Sequence, residues 1–238
     1  MDIIPSARKI GVALDVDGTL VDSNRECYKR TSEAWMETYR CKFPLTYEEF
    51  YSFRPKVKKV QDYFNFSADL LKAGGKVVPE PFYAEALTKL FYSFRAEKQA
   101  ADMKAWLAEN PAYEGIPEMM AQLKQTLWDV FVVTAKDRAS VNSVLGSIDC
   151  EVSAIYDKDI GGRDKQFAKA CVEKSLENTN IVTYDDIVGQ LVEAKKLGVT
   201  PVWAPQGYGI KADAESGGFV SAWPVEFVPL VEKIFSSR

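Results

Sequence analysis

The chain has 238 residues, 47% of them hydrophobic and 27% charged, a composition that excludes a disordered or fibrous polypeptide and allows one large or two smaller domains. A net charge of −4 and a pI near 5.2 offer no broad attraction for a polyanion, so no nucleic-acid partner is expected, and no apolar run is long enough to cross a bilayer. Histidine is absent, which removes a Ser-His-Asp triad, a Cys-His pair and His-ligated zinc and leaves catalysis to carboxylates, lysines, hydroxyls or a hard metal.

Met1–Ser6 carries no basic stretch followed by an apolar block, so an unexported, cytoplasmic, soluble protein without a membrane partner is expected. The first strand is expected over Lys9–Leu14, a short apolar run of the kind buried in parallel sheets, ending in acids and a glycine. From about Ser23 to Asn110 strand-like runs are nearly absent. Helices are expected over Arg25–Tyr39 and Glu80–Glu109; Thr46 with Glu49 fits a capping box, and Gly74-Gly75 ends a helix before Val77. Beyond Ile116 strands and helices alternate. Strands are expected over Trp128–Val133, Asn180–Tyr184 and Val199–Ala204, between helices over Ile116–Gln125, Ala139–Gly146, Lys165–Leu176 and Gly189–Leu197. That alternation implies parallel βαβ units with right-handed crossovers, interrupted by an all-helical insertion. Cys27, Cys41, Cys150 and Cys171 are widely spaced and read as reduced thiols.

Ligands of open parallel sheets bind at the carboxyl ends of the strands. Three of the four expected strands end in polar residues: Asp15 and Asp17, then Thr134, then Asp185 and Asp186. Asp, Gly and Thr are also ordinary turn residues. With average residue usage, however, Asp15-Val16-Asp17-Gly18-Thr19 followed by an aliphatic arises in on the order of one chain in a thousand. Two carboxylates two residues apart can divide the work. One attacks phosphorus, and the other protonates the leaving alcohol and then deprotonates water. Their mutual repulsion calls for a hard cation and a lysine, and magnesium prefers oxygen ligands.

With these residues the chain resembles the haloacid dehalogenase superfamily, specifically its phosphatases with a helical cap, over nearly its whole length. The resemblance implies an α/β fold with a Rossmann-like three-layer parallel sheet core, residues 1–22 and 111–238, and an inserted all-α cap, residues 23–110. It further implies a Mg2+-dependent phosphatase acting on a small phosphorylated metabolite through an aspartyl-phosphate. Asp15 matches the family's nucleophile and Asp17 its acid/base, with the Asp17 backbone carbonyl also on the metal. Thr134 and Ala135 match the phosphate-binding second motif. Lys165, in Gly162-Arg163-Asp164-Lys165-Gln166, matches the motif lysine, with Lys136 and Lys158 as alternatives. Counting back from Gly198 puts Asp186 on the metal; an offset of one residue would put Asp185 there instead. In the first register Gln190 stands where the family has a second Asp, which implies either that Asp185 supplies the missing carboxylate or that the metal is held more weakly. The return Ala112–Glu118 fits the end of the cap. Within the cap, Arg54 and Lys56, beside Lys58 and Lys59, either meet an anionic group of the substrate or form a solvated face, and Tyr83, Phe91, Tyr92, Phe94 and Trp106 read as cap core.

Phosphoryl transfer within a sugar phosphate, phosphonate cleavage through a cap lysine, and a binding or regulatory protein with weakened catalysis are the other readings. Asp17 argues against dehalogenation, which needs no acid at that place. The oligomeric state has no signal in the sequence.

Overall fold

Gly11-Val12-Ala13-Leu14 carries no charged side chain and forms strand β1 (Gly11–Leu14), buried along its whole length in a computed structural model that describes residues 9–237. The expectation for Met1–Ser6 lies outside the described residues. From Asn24 the chain is helical: α1 (Asn24–Tyr39), α2 (Tyr47–Tyr51), α3 (Val60–Ala73), α4 (Ala84–Ala101) and α5 (Met103–Leu107). The capping box that opens α2 is complete, with Glu49 N–H donating to Thr46 Oγ1 at 3.2 Å and Thr46 N–H to Glu49 Oε2 at 2.8 Å. The single helix expected over Glu80–Glu109 is two. Asp102 leaves helical geometry and its carboxylate accepts the Ala105 N–H at 2.9 Å, so the residue that ends α4 caps α5.

These helices pack around Trp35, Phe50, Phe64, Leu71, Leu87 and Phe91. Trp106 is buried as expected of it, whereas Tyr83 is exposed. Among the polar groups buried in this unit, Glu26 takes two hydrogen bonds from Arg95, at 2.9 and 2.7 Å, and lies 3.4 Å from Trp106 Nε1, lashing α1 to α4 and α5.

The rest of the chain alternates: α6 (Ile116–Leu123), β2 (Asp129–Val133), α7 (Arg138–Ser147), β3 (Ile155–Tyr156), α8 (Arg163–Lys174), β4 (Ile181–Asp185), α9 (Val188–Lys196), β5 (Thr200–Trp203), α10 (Lys211–Ser216), β6 (Val220–Ser221) and α11 (Pro224–Ser236). The strands form one parallel sheet in the order β3-β2-β1-β4-β5-β6, an α/β fold with helices packed about the sheet. The edge strands β3 and β6, two residues each, escaped the sequence reading because such short runs carry no periodicity. Ala13, Phe131, Tyr156, Phe167 and Ile181 are among the residues of one buried cluster in the α/β part.

The chain divides into two compact units, Asp22–Pro111 and the α/β unit that ends at Val21 and resumes at Ala112. Among the described residues no helix is long and apolar enough to cross a membrane.

Candidate active site

β1 lies between β2 and β4, with Leu14 opposite both Val132 and Tyr184, so the three strands end at one level. The chain order reverses across β1, and this is the point at which parallel sheets open a crevice. Asp15 leaves β1 with its N–H on the Tyr184 carbonyl at 3.0 Å; Thr134 leaves β2 with its N–H on Tyr156 at 3.0 Å. Asp185 closes β4 and Asp186 follows it. Just past Asp17, Gly18 takes φ +88°, which turns the chain back so that its N–H meets the Val21 carbonyl at 2.8 Å. Glycine serves there twice over, because a Cβ at that position would overlap the Asp186 carboxylate.

Carboxylate oxygens of Asp15, Asp185 and Asp186 come within 4.8 Å of one another, and all three residues are buried. One guanidinium is set among them. Arg163, the first residue of α8, donates to Asp185 Oδ2 at 2.7 Å, to the Val133 carbonyl, and through Nε to Gln190 Oε1 at 3.2 Å. Its Nη2 also lies 3.3 Å from Asp15 Oδ1, an ion pair without hydrogen-bond alignment, so that Oδ1 keeps no hydrogen-bond partner. Lys136, whose side chain is fully buried, pairs with Asp17 Oδ1 at 2.8 Å. Gln166, one turn beyond Arg163, points its amide nitrogen at the carbonyls of Thr134, Tyr156 and Asp157 at 2.8, 3.0 and 2.9 Å, holding the ends of β2 and β3.

Burial dominates the electrostatics. It raises the pKa of Asp15, with Arg163 opposing and Asp17 adding to the rise, while a hydrogen bond from Thr134 favours the ionised form. It pushes Asp185 up to about 7 against the same guanidinium. Burial works against the charge of Arg163 too, but Asp185 and Asp15 more than offset it and its pKa rises. Four carboxyl groups, Asp15, Asp17, Asp185 and Asp186, stand against two cations, Arg163 and Lys136, so acidic groups outnumber basic ones by two. An all-oxygen donor set, an excess of acidic over basic groups and an Asp15 Oδ1 without a hydrogen-bond partner fit a hard divalent cation, whose charge favours the ionised carboxylates.

The structure gathers Asp15, Asp17, Thr134, Asp185 and Asp186 at the strand ends, with half-buried Ala135 between Thr134 and Lys136. Lys165 is not among them. It is exposed on α8, its stem against Gly161, and the cation beside Asp15 is Arg163, two residues earlier. A lysine reaches Asp17 instead, and it is Lys136; Lys158 pairs with its neighbour Asp159 at 2.6 Å. A search for lysine alone passes over Arg163; admitting any cation at the opening of the helix would have included it. The Gln190 amide oxygen is spent on Arg163. In the helical unit Arg54 is buried, with Nε on Asn24 Oδ1 at 3.2 Å and its guanidinium 5.3 Å over the Tyr63 ring, whereas Lys56 is exposed.

Residues 11–202 match the family model of the haloacid dehalogenase-like hydrolases. No curated protein matches the sequence. Among solved structures, a predicted phosphoglycolate phosphatase from Haemophilus somnus 129PT is 17% identical with a TM-score of 0.73, covering 93% of this chain and 97% of its own. A predicted phosphatase from Clostridium acetobutylicum is 16% identical with a TM-score of 0.70, covering 97% of this chain and 100% of its own. A β-phosphoglucomutase from Clostridium difficile is 13% identical with a TM-score of 0.62, over 97% and 100%. At these identities the structures share the fold. The extent of the family match, together with a fold of the same class, assigns this chain to the haloacid dehalogenase-like hydrolases.

Proposed function

We propose that the protein is a magnesium-dependent phosphatase that hydrolyses the phosphate monoester of a small metabolite through an aspartyl-phosphate on Asp15. The observation that supports this most is the meeting of buried Asp15, Asp185 and Asp186 with Arg163 beside them and Asp17–Lys136 two residues along the same turn. In this reading an Asp15 oxygen attacks phosphorus, the bond from phosphorus to the leaving oxygen breaks, and Asp17 gives that oxygen its proton. Asp17 then takes a proton from water, whose oxygen attacks the same phosphorus, releasing phosphate and restoring the Asp15 carboxylate. Lys136 holds Asp17 by Oδ1 and so sets where its second oxygen points. Thr134 and Arg163 face the phosphoryl oxygens and counter their charge. Asp15 and Asp186, with the Asp17 backbone carbonyl, are the assigned magnesium ligands, and Asp185 is the anchor of Arg163. When bound, magnesium supplies positive charge against the phosphoryl oxygens. The helical unit Asp22–Pro111 is assigned the role of a cap that selects the leaving group, with Lys56 a candidate contact.

The test is phosphate release from p-nitrophenyl phosphate and acetyl phosphate with magnesium. Asp15→Asn abolishes it, whereas Asp17→Asn slows it and keeps magnesium affinity, since only the backbone of Asp17 is assigned to the metal. No turnover by magnesium-loaded protein across a broad panel of phosphate esters would overturn the reading.

A further inference from the structure

From Trp203, the last residue of β5, the chain continues Ala204-Pro205-Gln206-Gly207-Tyr208-Gly209, by sequence an ordinary turn-rich connection. In the fold it closes around a single residue. Trp203 Nε1 donates to the Asp186 carbonyl at 2.9 Å and the Tyr208 N–H to Asp186 Oδ2 at 2.7 Å, while the Thr19 hydroxyl reaches Oδ1 at the longer distance of 3.4 Å. The loop is itself anchored to β4 and to the turn after β1. Ala204 N–H donates to the Asp185 carbonyl at 3.0 Å and Gln206 Nε2 to the Thr19 carbonyl at 3.0 Å. The Tyr184 hydroxyl donates to the Ala222 carbonyl at 2.8 Å and lies 3.2 Å from Gln206 Oε1. Gly207 is held to glycine by contact: a Cβ there would overlap the Gly18 carbonyl and Asp186 Cβ.

The terminal torsion of an aspartate is broad, so a carboxylate meets a cation at a defined angle only if something fixes it. Here the short bond from the Tyr208 amide fixes Oδ2 and the Thr19 hydroxyl approaches Oδ1 at the longer distance, so the plane of the carboxylate is held from both oxygens. We infer that the loop after β5 is a positioning device for Asp186, in which Trp203, Gly207 and the Tyr208 amide set the direction of its carboxylate and thereby the affinity of the cation site. The inference rests on the proposed reading of Asp186 as a metal ligand. None of the three need touch the cation or the substrate.

Isothermal titration of the full-length protein with magnesium alone, without substrate, tests it. Groups that orient a ligand typically change metal affinity by roughly 10–100-fold when lost, and a loss in that range is expected for Gly207→Ala and for Trp203→Phe, which keeps a ring but removes the donor. At saturating magnesium the KM for p-nitrophenyl phosphate is retained. Gly146→Ala, on α7 with open space around the new methyl, serves as the control and binds magnesium as the unaltered protein does. Folding is checked by melting in EDTA, and if Gly207→Ala does not fold, Trp203→Phe decides. Folded variants whose magnesium affinity stays within about twofold of the unaltered protein overturn the inference, as does an unaltered protein that takes up no magnesium. If magnesium binds and the variants weaken it, yet no ester is hydrolysed, the positioning role is supported and the phosphatase reading fails.

Discussion

Replacing Arg163 with Met removes the one cation shared by Asp15 and Asp185. That side chain has four partners: the two carboxylates at 3.3 and 2.7 Å, Gln190 at 3.2 Å and the Val133 carbonyl. Without it Asp185 retains the Ile187 N–H at 2.8 Å and Asp15 the Thr134 hydroxyl, so two buried carboxylates face each other with no counter-charge. Breaking a buried pair in this way costs roughly 3–5 kcal/mol, which in a chain of this size lowers Tm by roughly 6–20 °C. The rate should fall further than stability explains. Arg163 opposes the rise in the Asp15 pKa, so its removal raises that pKa further, against the ionised form that attacks, and loss of a group that stabilises charge in the transition state costs about 100–1,000-fold in kcat. Arg163→Lys falls between, keeping the charge but not the planar fork that serves several acceptors at once. Lys165→Met is the comparison: an exposed side chain whose loss moves stability by no more than about 0.5 kcal/mol and leaves the rate unchanged. Melting curves in EDTA and initial rates of phosphate release at saturating magnesium, for the three variants, decide the matter. If Lys165→Met abolishes turnover while Arg163→Met does not, the assignment of the cation to Arg163 is refuted.

Three further outcomes are expected. Asp185, pushed up to about 7, and Asp15, also raised, bind their protons more tightly folded than unfolded; the Asp185 contribution is complete below the ordinary value of 3.8 and is lost as pH rises through about 7. Protein in EDTA therefore melts lower near pH ~8 than near pH ~6, and magnesium, favouring the ionised forms, narrows the gap; a metal-free Tm that rises over this interval contradicts the electrostatics. In the helical unit Arg95→Ala strands the buried Glu26 carboxylate and costs about 3–5 kcal/mol by denaturant titration, while the double variant Glu26→Gln with Arg95→Met recovers a measurable part; no recovery speaks against an isolated pair. Cys41 is exposed whereas Cys27 and Cys150 are buried, with the Cys150 thiol pushed up to about 12, so a disulfide reagent labels Cys41 first and those two only on unfolding. Peptide mapping of the labelled sites checks the order.

What was legible in the sequence was what local pattern dictates. Apolar runs such as Val12–Leu14 and Phe131–Val133 report burial on both faces of a sheet, so the four longer strands, and the polar ends of three of them, could be read from order alone. The pairing of Asp15 with Asp17 is two residues of chain, and its rarity does not depend on folding. The tertiary structure decided everything that rests on distance between segments. Asp186 stands beside Gly18 because β4 pairs in register with β1, and Arg163 rather than Lys165 meets Asp15 because the first turn of α8 carries Arg163 and Gln166 on the side that faces the strand ends. Gln190 shows the same limit. By spacing alone it marks a missing acid, but in the fold its neutral amide accepts from Arg163 and leaves that charge to the two aspartates. Charge and hydrogen-bonding partners act over a few ångströms, and only the packing of strands and helices determines which residues come within that range.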